Sequence, residues 1–247
     1  MQTNTVSSLT ICQDEENYIT QMLEYLHSYV NPDEIIIVDG GSKDNTLALI
    51  NVFISKNPTA NIKLYENPMP DSFTDQRNIA LSYCSGDWVL HIDADETYSK
   101  GLRDLILNVR QGKYESNLGI VFPTAHLIKD EFHMNDNGGD IHIRLFQNIP
   151  EIKFKGDVHE QLHFNDEMLI LNRAKFNIVD CSNIALRHYS MLKNRNDLIN
   201  KGRRYLKWTE KSQEAGIPLT DDEEFFIKAI EKRINQGELI EVPEKWQ

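Results

Sequence analysis

No apolar run in this chain is longer than four residues; the longest are Ile35–Val38, Leu47–Ile50 and Met168–Leu171. A bilayer-spanning helix needs about 20, so the expectation is a chain that does not cross a membrane. Cysteine is scarce as well. Cys12, Cys84 and Cys181 are odd in number, widely spaced and free of any C-x-x-C pattern. That supports neither a disulfide framework nor a cysteine zinc site, and it fits a reducing cytoplasm. The first residues, MQTNTVSSLTICQDEENYI, lack the basic start and apolar stretch of a secretory signal. Positive charge is in the minority, with 26 Lys+Arg against 38 Asp+Glu for a net of −12. General affinity for nucleic-acid phosphates is thereby disfavoured. An anionic ligand would need a local solution: a metal ion, a helix N-terminus or a few placed arginines.

What is present is ordinary globular material. The 247 residues are 40% hydrophobic and 26% charged, which argues against disorder and fits one or two domains. Over the first hundred residues strands and helices alternate. Strands are expected at Val6–Cys12, Glu34–Val38, Ile62–Tyr65 and Trp88–Ile92, and helices at Glu16–Tyr29, Thr46–Lys56, Asp75–Cys84 and Ser99–Arg110. Short apolar strands separated by helices indicate an α/β fold, a doubly wound sheet covered on both faces. Beyond this the texture turns strand-rich, at Gly119–Leu127, Ile141–Phe146, Val158–Phe164, Phe176–Val179 and Ile184–His188. The polar stretch Asn135–Asp140 is a tight turn or a cover over a site. Helical patterns at Arg195–Glu214 and Asp221–Asn235 suggest a domain over residues 1–190 with a helical C-terminal extension, 191–247, packed on it.

Four segments carry candidate chemistry. IIIVDGGSKDNT runs from a strand through a turn to a helix, and Asp39 sits at the strand's carboxyl end, where ligands bind in open α/β sheets. A solvated turn with a helix cap at Asp44, Asn45 or Thr46 explains the same residues. GDWVLHIDADE ends a buried strand with Asp93, Asp95 and Glu96. In an extended segment Asp93 and Asp95 would share a side, and two hard oxygen ligands there suit Mg2+ or Mn2+. The alternative is an acidic loop at a helix start. DQRN places Arg77 at the head of the helix leading to that strand, as an anion contact or a surface ion pair. FKGDVHEQLHF carries His159 and Glu160, and alternation would set Glu160 beside Val158 and Leu162. A partly desolvated carboxylate is a good general base. His188 ends a later strand as a metal ligand or a core histidine. The run Lys193–Lys211 holds seven basic residues, as a solvated face or a patch attracting an anionic acceptor.

In their order, LTICQDEENYITQMLEYL, DEIIIVDGGSKDNT, DQRNIALSYCSGDWVLHIDADE, RLFQN, FKGDVHE and RHYS make the chain resemble the family 2 glycosyltransferases, which have the GT-A fold. DADE and VHE look most like bacterial enzymes that glycosylate lipopolysaccharide core or peptides. The resemblance implies a metal-dependent, inverting transferase with a nucleotide-sugar donor, first of all a UDP-sugar, and Mg2+ or Mn2+ as cofactor. The acceptor would be a glycan, a lipid-linked saccharide or a peptide, with no nucleic-acid partner and at most peripheral contact with the inner face of a membrane. It implies nucleotide contacts at Asp39, Arg77 and Asp93, metal ligation by the D-x-D acids Asp93 and Asp95 completed by His188, and Glu160 as catalytic base. A sugar-phosphate nucleotidyltransferase shares such a fold, but LTICQDEEN lacks its Gly-rich phosphate loop. A non-catalytic nucleotide-sugar-binding module is the other alternative.

Overall fold

The structure is a computed structural model that describes residues 3–70, 72–128, 131–134, 141–156 and 160–189, with side chains outside 126–134. The Asn135–Asp140 loop, His159, the basic run and both C-terminal helical patterns lie outside the described residues, as does the extension 191–247.

β1 (Val6–Cys12), β2 (Glu34–Asp39), β3 (Ile62–Glu66) and β4 (Trp88–His91) form a parallel sheet in the order β3-β2-β1-β4. Between them run α1 (Ile19–Tyr25), continued by a π-helical turn at Leu26–Val30, then α2 (Thr46–Lys56) and α3 (Phe73–Tyr83). β1, β2 and β4 are buried along their whole length. Alternation along β2 divides the core: Ile35 and Ile37 pack with α1 and α2, Ile36 and Val38 with Ala80 and Leu81 of α3. Helices on both faces let these strands read as continuous apolar runs.

β5 (Glu96–Tyr98) and α4 (Leu102–Arg110) follow, and then the sheet becomes mixed through β6 (Gly119–Ile128), β7 (Glu131–Met134) and β8 (Ile141–Gln147). β8 is antiparallel to both β4 and β6. β9 (Ile152–Lys155), β10 (Gln161–Phe164) and β11 (Glu167–Met168) form a separate antiparallel sheet. β12 (Ile178–Asp180) pairs with the start of β6, and β13 (Leu186–His188) with its later part and with β5.

The expected strands and helices of the first hundred residues are all present. Of the strand expected over Val158–Phe164, residues 157–159 lie outside the described residues. Regular pairing begins only at Gln161, so Glu160 precedes β10, and the alternation argument from Val158 does not set its direction. Four short strands were not anticipated: β5, β7, β9 and β11. Each is four residues or fewer and owes its existence to the partner strand, not to a local pattern.

Candidate functional site

The carboxyl ends of β2, β1 and β4 lie side by side, since Asp39 is in register with Cys12 and the amide of Ile92 donates to Leu9 O. Asp39 is fully buried. Its Oδ2 accepts the amides of Gly41 at 2.8 Å and Ser42 at 2.9 Å, and Oδ1 accepts the Ser42 hydroxyl. Gly41 has φ +91°, the left-handed conformation this turn requires. Asp39 therefore anchors its own turn. The cap of α2 comes from Asp44, whose Oδ1 accepts the amide of Thr46 at 2.9 Å, and the side chain of Glu16 takes the amide of Asn45 at 3.0 Å. The turn and the cap of that alternative are thus in place, but Asp39 is buried, not solvated. Burial, with Asp39 and Glu15 nearby, pushes the Cys12 thiol well up, so it is inert at neutral pH.

Arg77 is not a surface residue. It lies in the second turn of α3, a helix capped by Ser72, whose side chain accepts the amide of Asp75 at 3.1 Å. Only 8% of Arg77 is exposed, and its donors turn inward. Nε meets Glu160 Oε1 at 2.5 Å, Nη1 meets Asp93 Oδ1 at 2.7 Å and contacts His91 Nε2, and Nη2 reaches Asp93 Oδ2 at 3.5 Å. One guanidinium thus joins residues 77, 93 and 160, all candidates from the sequence. The approach of Glu160 is arranged by α3 itself. Asn78 exchanges two hydrogen bonds with the Phe154 backbone, at 2.9 and 3.0 Å, and the Thr74 hydroxyl donates to Gly156 O.

Three further residues complete the network: His91 at the end of β4, Arg144 in β8 and Glu96 opening β5. Arg144 Nη1 lies 3.0 and 3.1 Å from the His91 ring nitrogens and 3.4 Å from Asp93 Oδ2, and its Nη2 donates to Glu96 Oε1 at 2.9 Å. Burial and the two guanidiniums hold the His91 pKa well below its ordinary value, so this imidazole is neutral. Burial alone would raise Asp93, but Arg77 and Arg144 more than reverse it and keep the carboxyl well below the usual range. Burial pushes Glu96 up, against the pull of Arg144. The sequence signal for His91 and Arg144 was a charged or ring-nitrogen residue inside an otherwise apolar strand, WVLH and IHIRLF, whereas Glu96 stood among the acids after β4. Such a residue, once buried, must find partners.

The D-x-D acids do not lie on one side of an extended segment. Asp93 follows the end of β4, and Ala94 and Asp95 form a turn before β5. Asp93 turns to the arginines, so its charge is relieved by guanidinium. Asp95, 5% exposed, instead has Oδ2 3.5 Å from His188 Nε2. β13 places His188 there through its pairing with β5, and the Tyr189 amide donates to Asp95 O at 3.0 Å. An aspartate and a histidine approaching this closely are a donor set that Mn2+ or Mg2+ accepts, with water and phosphate filling the remaining positions. Among the described residues no three His, Cys, Asp or Glu side chains converge as a complete protein cage. A separate cavity of about 790 Å³ lies between α1, α2 and the β5–β13 pair, lined by Tyr25, Phe53, Tyr98 and Tyr189 among others. None of Asp39, Arg77, Asp93, Asp95, Glu160 and His188 lines it.

Residues 7–174 match the model of glycosyl transferase family 2, and the chain belongs to that family. It is 37% identical over 101 residues to the lipopolysaccharide core biosynthesis glycosyltransferase LpsC of Rhizobium meliloti, covering 41% of this chain and 35% of that one. It is 29% identical over 215 residues to the SPbeta prophage-derived glycosyltransferase SunS of Bacillus subtilis, covering 84% and 45%. The chain thus spans less than half the length of these curated relatives. Its fold is that of the mannosyltransferase PcManGT from Pyrobaculum calidifontis, solved with GDP-Man and Mn2+. The TM-score is 0.58 at 14% identity, over 94% of this chain and 70% of that one. S. aureus TarS 1–349 in complex with UDP gives 0.55 at 16% identity, over 93% and 71%. The α/β architecture is the GT-A fold.

Proposed function

We propose that this chain transfers a sugar from a nucleoside-diphosphate sugar to an acceptor nucleophile, with inversion at the anomeric carbon. The observation that carries the reading is Arg77, which holds Asp93 of the D-x-D motif and Glu160 together at the strand ends of a family 2 domain. Relatives of the same fold are described with UDP, UDP-GlcNAc or GDP-Man, and the donor is proposed from that class, a UDP-sugar first.

In this reading Asp39 shapes the turn against which the nucleotide rests. A Cβ at Gly40 would meet the movable end of Met69 at 2.7 Å and lie 3.4 Å from Cys12 O. Asp93, braced by two arginines, presents its edge to the nucleotide. Asp95 and His188 would hold a divalent cation, Mg2+ or Mn2+, which when bound stabilises negative charge on the departing diphosphate. Glu160 takes the proton from the acceptor nucleophile. Its Oε1 is fixed by Arg77, while Oε2 has no hydrogen-bond partner among the described residues and can receive a hydroxyl. Orientation by Arg77 serves the displacement by limiting the rotamers of the base.

A glycan, a lipid-linked saccharide or a peptide is proposed as acceptor, reached in the cytoplasm or at the inner face of a membrane. Among the described residues no helix is long and apolar enough to cross one. The helical extension over 191–247 is proposed on its sequence pattern alone.

The test is incubation with UDP- and GDP-sugars, MnCl2 and candidate acceptors, following nucleoside diphosphate release and the anomeric configuration of the product by NMR. Release of nucleoside diphosphate with an inverted product is expected. Pyrophosphate formation from nucleoside triphosphate and sugar phosphate would restore the nucleotidyltransferase alternative, and binding without turnover the non-catalytic one.

A further inference from the structure

Resting on the reading above, we infer that Arg144 and Glu96 are a positioning pair that sets the geometry of the D-x-D turn without touching substrate. The two form a closed circuit around that turn. Arg144 Nη2 donates to Glu96 Oε1 at 2.9 Å, and the other oxygen, Oε2, accepts the Asp93 amide at 2.8 Å. The Glu96 amide donates back to Asp93 O at 3.1 Å, and Arg144 Nη1 reaches the Asp93 carboxylate at 3.4 Å. Asp95 lies inside this loop of contacts. Its direction toward His188 is therefore fixed by the residues on either side of it.

Arg144 is 8% and Glu96 2% exposed, and their forks are turned onto His91, the Asp93 turn and each other. The planar fork of arginine is what allows one side chain to meet His91, Asp93 and Glu96 together. Stability alone does not account for the arrangement. A buried pair is often no better than apolar residues of similar volume, and Arg144 Nε is buried with no hydrogen-bond partner among the described residues. Preorganising an acidic turn is a different matter. Residues that orient metal- or charge-binding side chains change affinity by about 10–100-fold when removed.

The experiment compares the wild-type chain with Arg144→Met, Glu96→Gln, the double variant and Arg144→Lys. Each is checked for folding by circular dichroism and thermal melting, then titrated with UDP and with GDP by calorimetry at increasing MnCl2. The double variant removes both charges of the pair and is expected to melt closer to wild type than Arg144→Met does. Its Mn2+-dependent nucleotide affinity is nevertheless expected to fall about 10–100-fold. Arg144→Lys keeps the charge but cannot span three partners, and is expected to show the same loss to a smaller degree. It also supplies the measurement if the methionine variants fail to fold. Wild-type affinity and Mn2+ midpoint in the double variant, or in Arg144→Lys alone if only that folds, would overturn the inference and leave the glycosyltransferase reading standing. Absence of any Mn2+-dependent nucleotide binding by the wild-type chain would overturn both.

Discussion

Replacing Arg77 by methionine removes the side chain that bridges Asp93 and Glu160. Nε lies 2.5 Å from Glu160 Oε1 and Nη1 2.7 Å from Asp93 Oδ1. Stranding one member of a fully buried pair costs about 3–5 kcal/mol. The two carboxylates differ in what they retain. The Asp93 side chain is 24% exposed and keeps Arg144 at 3.4 Å, whereas that of Glu160 is 13% exposed and has no second ion pair among the described residues. The loss therefore falls mainly on Glu160, and partial access of water reduces it to about 3 kcal/mol. In a chain of this size that corresponds to a melting point lower by about 6–12 °C. Glu160→Gln in the Arg77→Met background removes the stranded charge and is expected to recover much of that loss, giving a coupling of about 1.5–3 kcal/mol. Urea and thermal unfolding of the four proteins of this cycle, at one pH and salt, measure it. Losses that add within about 0.5 kcal/mol would refute a direct pair, and an unaltered melting point for Arg77→Met would refute the inward geometry altogether.

Glu160→Gln alone is expected to lower transfer by about 10²–10⁴ while calorimetric donor affinity stays near wild type; joint loss of both would make Glu160 a binding residue. Asp39→Ala leaves the amides of Gly41 and Ser42 unanswered and is expected to cost about 2–4 kcal/mol by urea unfolding. It should also weaken UDP or GDP binding about tenfold or more, a factor worth about 1.4 kcal/mol. At the opposite end of the sheet, burial would raise Glu34, but hydrogen bonds from Lys63, Ser7 and Ser85 more than offset it and bring its pKa from 4.5 to about 2. A depressed folded pKa gives stability that is present above pH 4.5 and lost as pH falls toward 2. The shift corresponds to about 3 kcal/mol, reduced to about 2 for the exposed, screened lysine end. Glu34→Gln should therefore be less stable than wild type at pH 7 and nearly equal to it at pH 2.5, and an equal gap at both, by urea melts, would exclude the linkage.

How much was legible beforehand differed along the chain. β1, β2 and β4 are buried on both faces, so their composition announced them. The positions where they end, Asp39 and Asp93, followed from the general rule for open α/β sheets. Glu160, Arg77 and Asp93 were recognisable singly, but not their convergence, because the contact between positions 77 and 160 depends on how α3 meets β9. The sequence offered Asp39 as turn anchor and as nucleotide contact; its bonds to Gly41 and Ser42 supply the first role, and the second stays a proposal. His91 and Arg144 stayed hidden because a single polar residue flanked by apolar ones gives no periodic signal, and Glu96 was visible only as one more acid after the strand. Only the partner reveals why each is tolerated. The D-x-D spacing misled in one respect: alternation assumes an extended chain, and the segment turns instead.

β6 is ten residues long and changes neighbours midway. β12 accompanies it as far as Val121, which is level with Asp180, and β13 joins at Thr124, level with Leu186. Pro123, which has no amide hydrogen to give, stands in the gap between the two, where the strand has no ladder partner on that side. The five residues from Cys181 to Ala185 make the transfer, with the Ile184 amide closing a turn onto Cys181 O. Their number sets a phase. Because side chains on a strand alternate with a period of two, adding or deleting one residue in this crossover would exchange the roles of Arg187 and His188 wherever the change slips the register of β13 by one. The imidazole would then face away from Asp95, with every residue of the site still in the sequence. The side chains of the crossover are therefore free to vary, but any change in its length must be taken up before Leu186 if His188 is to keep facing Asp95.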